Sequence, residues 1–277
     1  MIDIQDLNIE SLTEEYHIPP KPEILTKLHG LMKNEPPDIR SIADLIAEDV
    51  GLSAEVLKTI NSAFFGMRGQ VSDIRQAAIL LGPPGVANLV SALELRRSMT
   101  QDVCISLQRF WDCAADVARG CVLIGHHLDL RIPSEDLYTT GLFHDCGIVI
   151  MAAKHPEYMQ VLIEVNSDYE HSMPQIEGNY YETDHTRMGY LITKEWGLPE
   201  VICQAILQNH ERDIWTSCHD GQLKRIVAVL KLAENMADRH RRQCENPDWP
   251  HHRDSVLRML DIDDAECKVL EQKFQES

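Results

Sequence analysis

The chain reads as all-α, in two packed helical subdomains covering residues 1–100 and 101–277. Three observations predict this. Apolar residues recur at helical spacing in every strongly periodic segment. No alternating run bounded by turn residues suggests a strand. Pro, Gly, Ser and Asp stand where helices would begin and end.

The first helix opens at Pro19-Pro20-Lys21-Pro22, where a missing N–H costs nothing, and carries Ile24, Leu25, Leu28, Leu31 and Met32 as one stripe. Asn34-Glu35-Pro36-Pro37 ends it. Asp38 is placed to cap a second helix (Ile39, Ile42, Leu45, Ile46), Ser53 a third (Val56, Leu57, Ile60) and Ser72 a fourth (Ile74, Ala78, Leu81). Gly82-Pro83-Pro84-Gly85 reads as a helix-joining turn, because it lacks the Lys-Ser/Thr of a phosphate loop. A fifth helix carries Val86, Leu89, Val90 and Leu93. Phe64-Phe65, between Asn61 and Gly66, reads as a core plug.

A longer helix spans about 105–128, with Leu107, Trp111, Ala114, Ala118, Cys121 and Val122 on one face. Another begins near Ser134 and continues through Asp145. Further helices are predicted over 156–166, 184–195, 199–210, 222–240, 252–260 and 263–275. The polar stretches Asp168–Thr183 and Gln243–Pro250 read as surface loops. The interval Arg96–Asp102 breaks the apolar pattern and marks a boundary near 98–105. It holds few linker-like residues, so the two halves should pack together.

Twenty-six Lys and Arg face 44 Asp and Glu, a formal charge of −18. This balance argues against a nucleic-acid partner and against an anionic membrane surface, both of which need a basic face. The eight cysteines form no C-x-x-C pair and mostly sit among apolar neighbours, which predicts reduced thiols in a cytoplasmic protein. Met1–Asp6 has no basic, apolar leader character, and no stretch approaches the roughly 18 apolar residues of a membrane span.

The chemistry-bearing residues are His144-Asp145, His185 and His210-Glu211, all on predicted helices or their ends. Adjacent His and Asp are a useful pair because an imidazole nitrogen and a carboxylate oxygen can both reach one cation. Helical bundles gather such distant ligands in their cores. Thirteen histidines also produce clusters by chance, and each of these side chains reads equally as a core or surface histidine bonded to a backbone carbonyl. Spacing alone leaves both readings open.

Several motifs carry a resemblance. Ile18-Pro19-Pro20-Lys21-Pro22, Asn61-Ser62-Ala63-Phe64-Phe65-Gly66 and Ile74-Arg75-Gln76-Ala77-Ala78-Ile79-Leu80-Leu81-Gly82 occur in order. Gly141-Leu142-Phe143-His144-Asp145-Cys146-Gly147, Asp184-His185-Thr186-Arg187-Met188-Gly189-Tyr190-Leu191 and Trp196-Gly197-Leu198-Pro199 follow. Over roughly residues 18–240 the chain resembles the HDOD domain family, bacterial relatives of the HD-superfamily metal-dependent phosphohydrolases. The resemblance implies one HDOD unit whose second subdomain is an HD-like helical bundle.

It also implies a ligand set with substitutions. The HD pair corresponds to His144-Asp145, and a later histidine of the HD-GYP subgroup corresponds to His185. That subgroup's His-His-Glu run reads Asn209-His210-Glu211, which keeps His210. Cys113 stands where the resemblance expects the first histidine, and Glu234 is the closest substitute for the last aspartate. The G-Y-P loop is absent from Arg212–Gly221. These changes imply a signal-transduction regulatory or scaffold module without hydrolysis, which acts through a protein partner or a bound nucleotide, with His144 and Asp145 as a vestigial polar cluster. The alternative is a phosphohydrolase acting on a nucleotide or cyclic dinucleotide with zinc, iron or manganese.

Overall fold

The computed structural model describes residues 15, 16, 18–62, 65, 70–99 and 103–276. Met1–Asp6, Ala63, Phe64, Gly66 and Thr100–Asp102, named above, lie outside them. No strand occurs among the described residues.

The first half comprises α1 (Glu23–Met32), α2 (Ile39–Ala47), α3 (Val50–Ile60) and α4 (Ile74–Ser98). Pro22 sits one residue before α1, and Asp38 caps α2 by accepting the Arg40 N–H at 3.0 Å. The caps of α3 and α4 differ from expectation. Asp49 accepts from Leu52 and Asp73 from Gln76, each at 2.9 Å, whereas the Ser53 hydroxyl bonds back to the Ile46 carbonyl. A carboxylate three residues before a free N–H outcompetes a hydroxyl that already has a partner.

α4 is two helical segments joined at Gly82, whose φ of 69° is open to glycine but strained for other residues. By length and composition α4 is the one helix among the described residues long enough and apolar enough to cross a membrane, but 67% of its apolar window is buried in the core. Phe65 is buried and tilts against Tyr138 at 5.7 Å.

The second half begins with α5 (Leu107–His127), which packs along α6 (Ser134–Phe143). The close approach is possible because Gly141 has no Cβ: one added there would lie 2.6 Å from the Ala118 Cα. The helix expected to run through Asp145 instead ends at Phe143, and after a turn over 144–146 a separate α7 (Gly147–Lys154) begins. Then follow α8 (Tyr158–Val165), α9 (Met173–Glu177), α10 (His185–Glu195), α11 (Glu200–Gln208), α12 (Ile214–Ser217), α13 (Gly221–Arg242), α14 (Trp249–Leu260) and α15 (Asp264–Glu276).

Two predicted surface loops hold more than solvated chain. Asp168–Thr183 contains α9, whose last residue, Glu177, is wholly buried, and the Gln243–Pro250 segment contributes the buried Asp248. Both are charged residues in polar stretches, so hydropathy patterning does not single them out.

One hydrophobic cluster runs from Tyr16 to Leu207 and includes buried residues on both sides of positions 98–105. A second lies among α5, α13, α14 and α15. Trp196, fully buried after α10, donates its Nε1–H to the Pro19 carbonyl at 3.0 Å and so ties the start of the chain to the second half. The eight cysteines are all unpaired thiols.

Candidate metal centre

Three local features build the site. Gly147 lets α7 cross α10 at backbone contact, since a Cβ there would meet the His185 carbonyl oxygen at 1.9 Å and the Gly189 nitrogen at 2.7 Å. That crossing sets the His144-Asp145 turn against the first residue of α10. Asp184 caps α10 by accepting the Arg187 N–H at 3.0 Å, which fixes His185 at the helix start. α11 then ends just before Asn209 and His210, which return to the same point.

The result is two groups of donors that share one residue. Asp145, His185 and His210 form the first, and His144, Asp145 and Glu234 the second; within each, the ligand atoms lie within 4.8 Å of one another. Asp145 serves them with opposite oxygens. Its Oδ1 is 3.6 Å from His185 Nε2, and its Oδ2 is 3.2 Å from His144 Nε2. His144 Nε2 is also 3.5 Å from Glu234 Oε1. Cys113 lines the adjoining cavity but belongs to neither group, and burial pushes its thiol pKa up, away from the thiolate a metal needs. Glu211 belongs to neither group.

Behind the first group stand acids that the sequence reading missed. Glu177 Oε2 accepts from His185 Nδ1 at 2.7 Å, and Asp248 accepts from His210 Nδ1. Glu177 also accepts a hydrogen bond from the Tyr158 phenol, and Asp248 faces the Lys231 ammonium at 3.2 Å. Carboxylates on the far nitrogen fix the tautomer and turn Nε2 toward the site. The two Nε2 atoms therefore face each other 3.2 Å apart. Two lone pairs at that distance repel unless a proton or a cation lies between them. Donors bonded to one ion at about 2.0–2.1 Å are separated by about 3.0–3.4 Å, so this spacing suits a shared metal.

Asp145 Oδ1 points the same way. It is buried and accepts no hydrogen bond from the described residues, which is costly for a carboxylate oxygen in the absence of a cation. Lys231 is in ion-pair contact with Glu234 and Asp248, whereas the contacts of Glu177 are to His185 and Tyr158, so the buried carboxylates of the cluster, with Asp145, outnumber its lysine. The histidines respond accordingly. Burial disfavours the His144 imidazolium, but Asp145, Glu234 and the Gly141 carbonyl outweigh it and lift the pKa to about 9. At His185 burial is likewise outweighed, by Glu177, Asp145 and Asp184, and its pKa also reaches about 9. Burial would raise the Asp145 carboxyl, yet His144, His185 and His210 hold it well below the ordinary carboxylate value.

Asp145 and His210 border a cavity of about 400 Å³ between α5, α8 and α13. Its walls combine Phe110, Ile148 and Leu162 with Arg109, Arg241 and Arg242. The volume is within the range of small-molecule sites.

The HDOD domain profile matches residues 18–212, and the chain belongs to the HDOD domain family. A protein from Treponema pallidum whose activity is uncharacterized is 25% identical over 193 residues; the match covers 70% of this chain and 37% of that protein's length. Among solved structures, a candidate phosphohydrolase from Shewanella amazonensis aligns at a TM-score of 0.69 and 18% identity over 97% of this chain and 93% of its own. An HDOD domain protein of unknown function from Geobacter sulfurreducens aligns at 0.63 and 23% over 97% and 99%. A candidate signal transduction protein from Marinobacter aquaeolei aligns at 0.67 and 20% over 96% of this chain and 58% of that one. At these identities the likeness is one of fold.

Proposed function

We propose that this HDOD domain is a metal-dependent signal-transduction module, holding one divalent cation at Asp145, His185 and His210 and acting by binding a partner or small ligand rather than by hydrolysis. The observation that carries the reading is the pair of Nε2 atoms 3.2 Å apart, each backed at Nδ1 by a buried carboxylate. Two imidazoles and one carboxylate suit zinc, iron(II) or manganese(II). When bound, such an ion would supply Lewis acidity toward an anionic ligand oxygen.

The chain's own residues carry the rest. Glu177 and Asp248 orient the imidazoles, Tyr158 and Lys231 hold those carboxylates, and the cavity admits a ligand to Asp145 and His210. On the other side of Asp145 the residues do not support hydrolysis. Cys113 stays outside both groups, and Glu234 is engaged by Lys231, so a paired-ion clamp on attacking and leaving oxygens has no second half.

Metal-loaded protein assayed with a chromogenic phosphodiester tests this directly. The expected result is bound metal without turnover. Turnover that His144→Ala and Asp145→Ala abolish would overturn the non-hydrolytic reading. One feature favours the alternative of a phosphohydrolase: Arg109, Arg241 and Arg242 line the cavity beside Asp145, as a phosphate-bearing substrate requires.

A further inference from the structure

The two donor groups are unequal, and one residue accounts for much of the difference. Lys231 stands on α13 one turn before Glu234 and is 2% exposed. Its ammonium lies 3.0 Å from Glu234 Oε2, 3.0 Å from Asn209 Oδ1 and 3.2 Å from Asp248 Oδ2. A buried ammonium keeps its charge only where acceptors surround it, and here two carboxylates and an amide oxygen do.

The same contacts define two effects. Through Asp248, Lys231 supports the carboxylate that orients His210 toward the first group. Through Glu234, it neutralises an acid whose other oxygen, Oε1, is the only carboxylate besides Asp145 in the second group. Any ion on His144, Asp145 and Glu234 would share Glu234 with a fixed positive charge. The second group is weaker in another way too. His144 Nδ1 bonds to the neutral Gly141 carbonyl at 2.8 Å, whereas His185 and His210 are each backed by a carboxylate.

We propose that Lys231 limits this centre to a single metal ion, its ammonium standing in for the charge of a second ion and keeping the His144–Asp145–Glu234 group closed to one. Asn209 is its third support: the amide oxygen accepts from Lys231 while Nδ2 donates to the Ile206 carbonyl at 2.8 Å. Lys231 is a positioning residue for the first group and a stoichiometry determinant for the second. This inference rests on the metal reading above.

The test is metal stoichiometry, measured by elemental analysis after dialysis against manganese(II) or zinc(II). Wild type is expected to hold about one equivalent, and Lys231→Met about two. Lys231→Gln, which keeps a hydrogen-bonding group and removes the charge, serves if the methionine variant does not fold. Lys231→Arg should stay at one, and the double variant Lys231→Met with Glu234→Gln should return to one. Removing the ammonium also leaves Glu234 and Asp248 without their cation, so the melting temperature of Lys231→Met should rise on adding metal by more than that of wild type. A Lys231→Met or Lys231→Gln protein that keeps one ion and takes no second overturns the proposal, as does a wild type that takes two. A wild type that binds none overturns the metal reading itself, a separate outcome.

Discussion

Glu177 lies wholly out of solvent and accepts a hydrogen bond from His185 Nδ1 at 2.7 Å, while its other oxygen takes one from the Tyr158 phenol. A carboxylate buried without a permanent cation beside it is expensive. It is stabilised here by the hydrogen bonds it accepts from His185 Nδ1, the His185 backbone N–H and the Tyr158 phenol, and its charge makes His185 Nε2 a better donor for a positive ion. Glu177→Gln preserves the shape and one acceptor but removes the charge. Titration of metal-free protein should show metal affinity lowered by about 10–100-fold with the fold intact. An unchanged affinity would detach Glu177 from the centre.

The helical frame was legible in the sequence because it is written in apolar periodicity. The stripe Ile24–Met32, the face Leu107–Val122 and the long α13 all lie where spacing puts them. The candidate donors His144, Asp145, His185 and His210 stand in recognisable motifs, and the fold brings them together. What patterning did not reveal is what supports them. Glu177 and Asp248 fall in polar stretches that look like solvated loops, and Lys231 sits in α13 as one cation among many. Their burial is tertiary: it arises because the chain folds back over the His185–His210 pair, which leaves no local signal. The broken helix at 143–147 was missed for the same reason, since only the contact with α10 gives Gly147 its role.

That contact yields a stability prediction. Gly147→Ala sets a Cβ against backbone atoms of His185 and Gly189, which cannot give way cheaply. Chemical denaturation should show a loss of about 4 kcal/mol or more, or failure to fold. Gly221→Ala, at the start of α13 with nothing within 4 Å of the added Cβ, should be neutral or stabilising by up to about 1 kcal/mol. Equal effects from the two changes would contradict the close-approach argument.

A second stability prediction concerns the tie between the two halves. Trp196→Phe keeps most of the buried ring but leaves the Pro19 carbonyl without its donor. The expected cost is about 1–3 kcal/mol by equilibrium denaturation. A variant as stable as wild type would show that solvent replaces the bond.

The pH dependence has an acid arm with a named origin. His252 is buried and accepts the Trp215 indole N–H at Nδ1, so its proton sits on Nε2, which has no partner among the described residues. Burial and the neighbouring Lys231 push its pKa down to about 3. In the unfolded chain the imidazole takes a proton near its ordinary value of 6.5, while the folded one does not. Its contribution is therefore intact above about pH 6.5 and is lost as pH falls toward 3. Melting temperatures of wild type and His252→Gln should converge as pH drops from 6.5 to 4.5. A constant difference across that window would exclude His252 as the source.

The central claim is that Asp145, His185 and His210 together hold one divalent ion. Isothermal titration of metal-free protein with zinc(II), in wild type and in His185→Ala, tests it most directly. Wild type is expected to show one site per chain, and His185→Ala its loss or an affinity weakened at least 100-fold. No binding in wild type, or the same site surviving in His185→Ala, would contradict it.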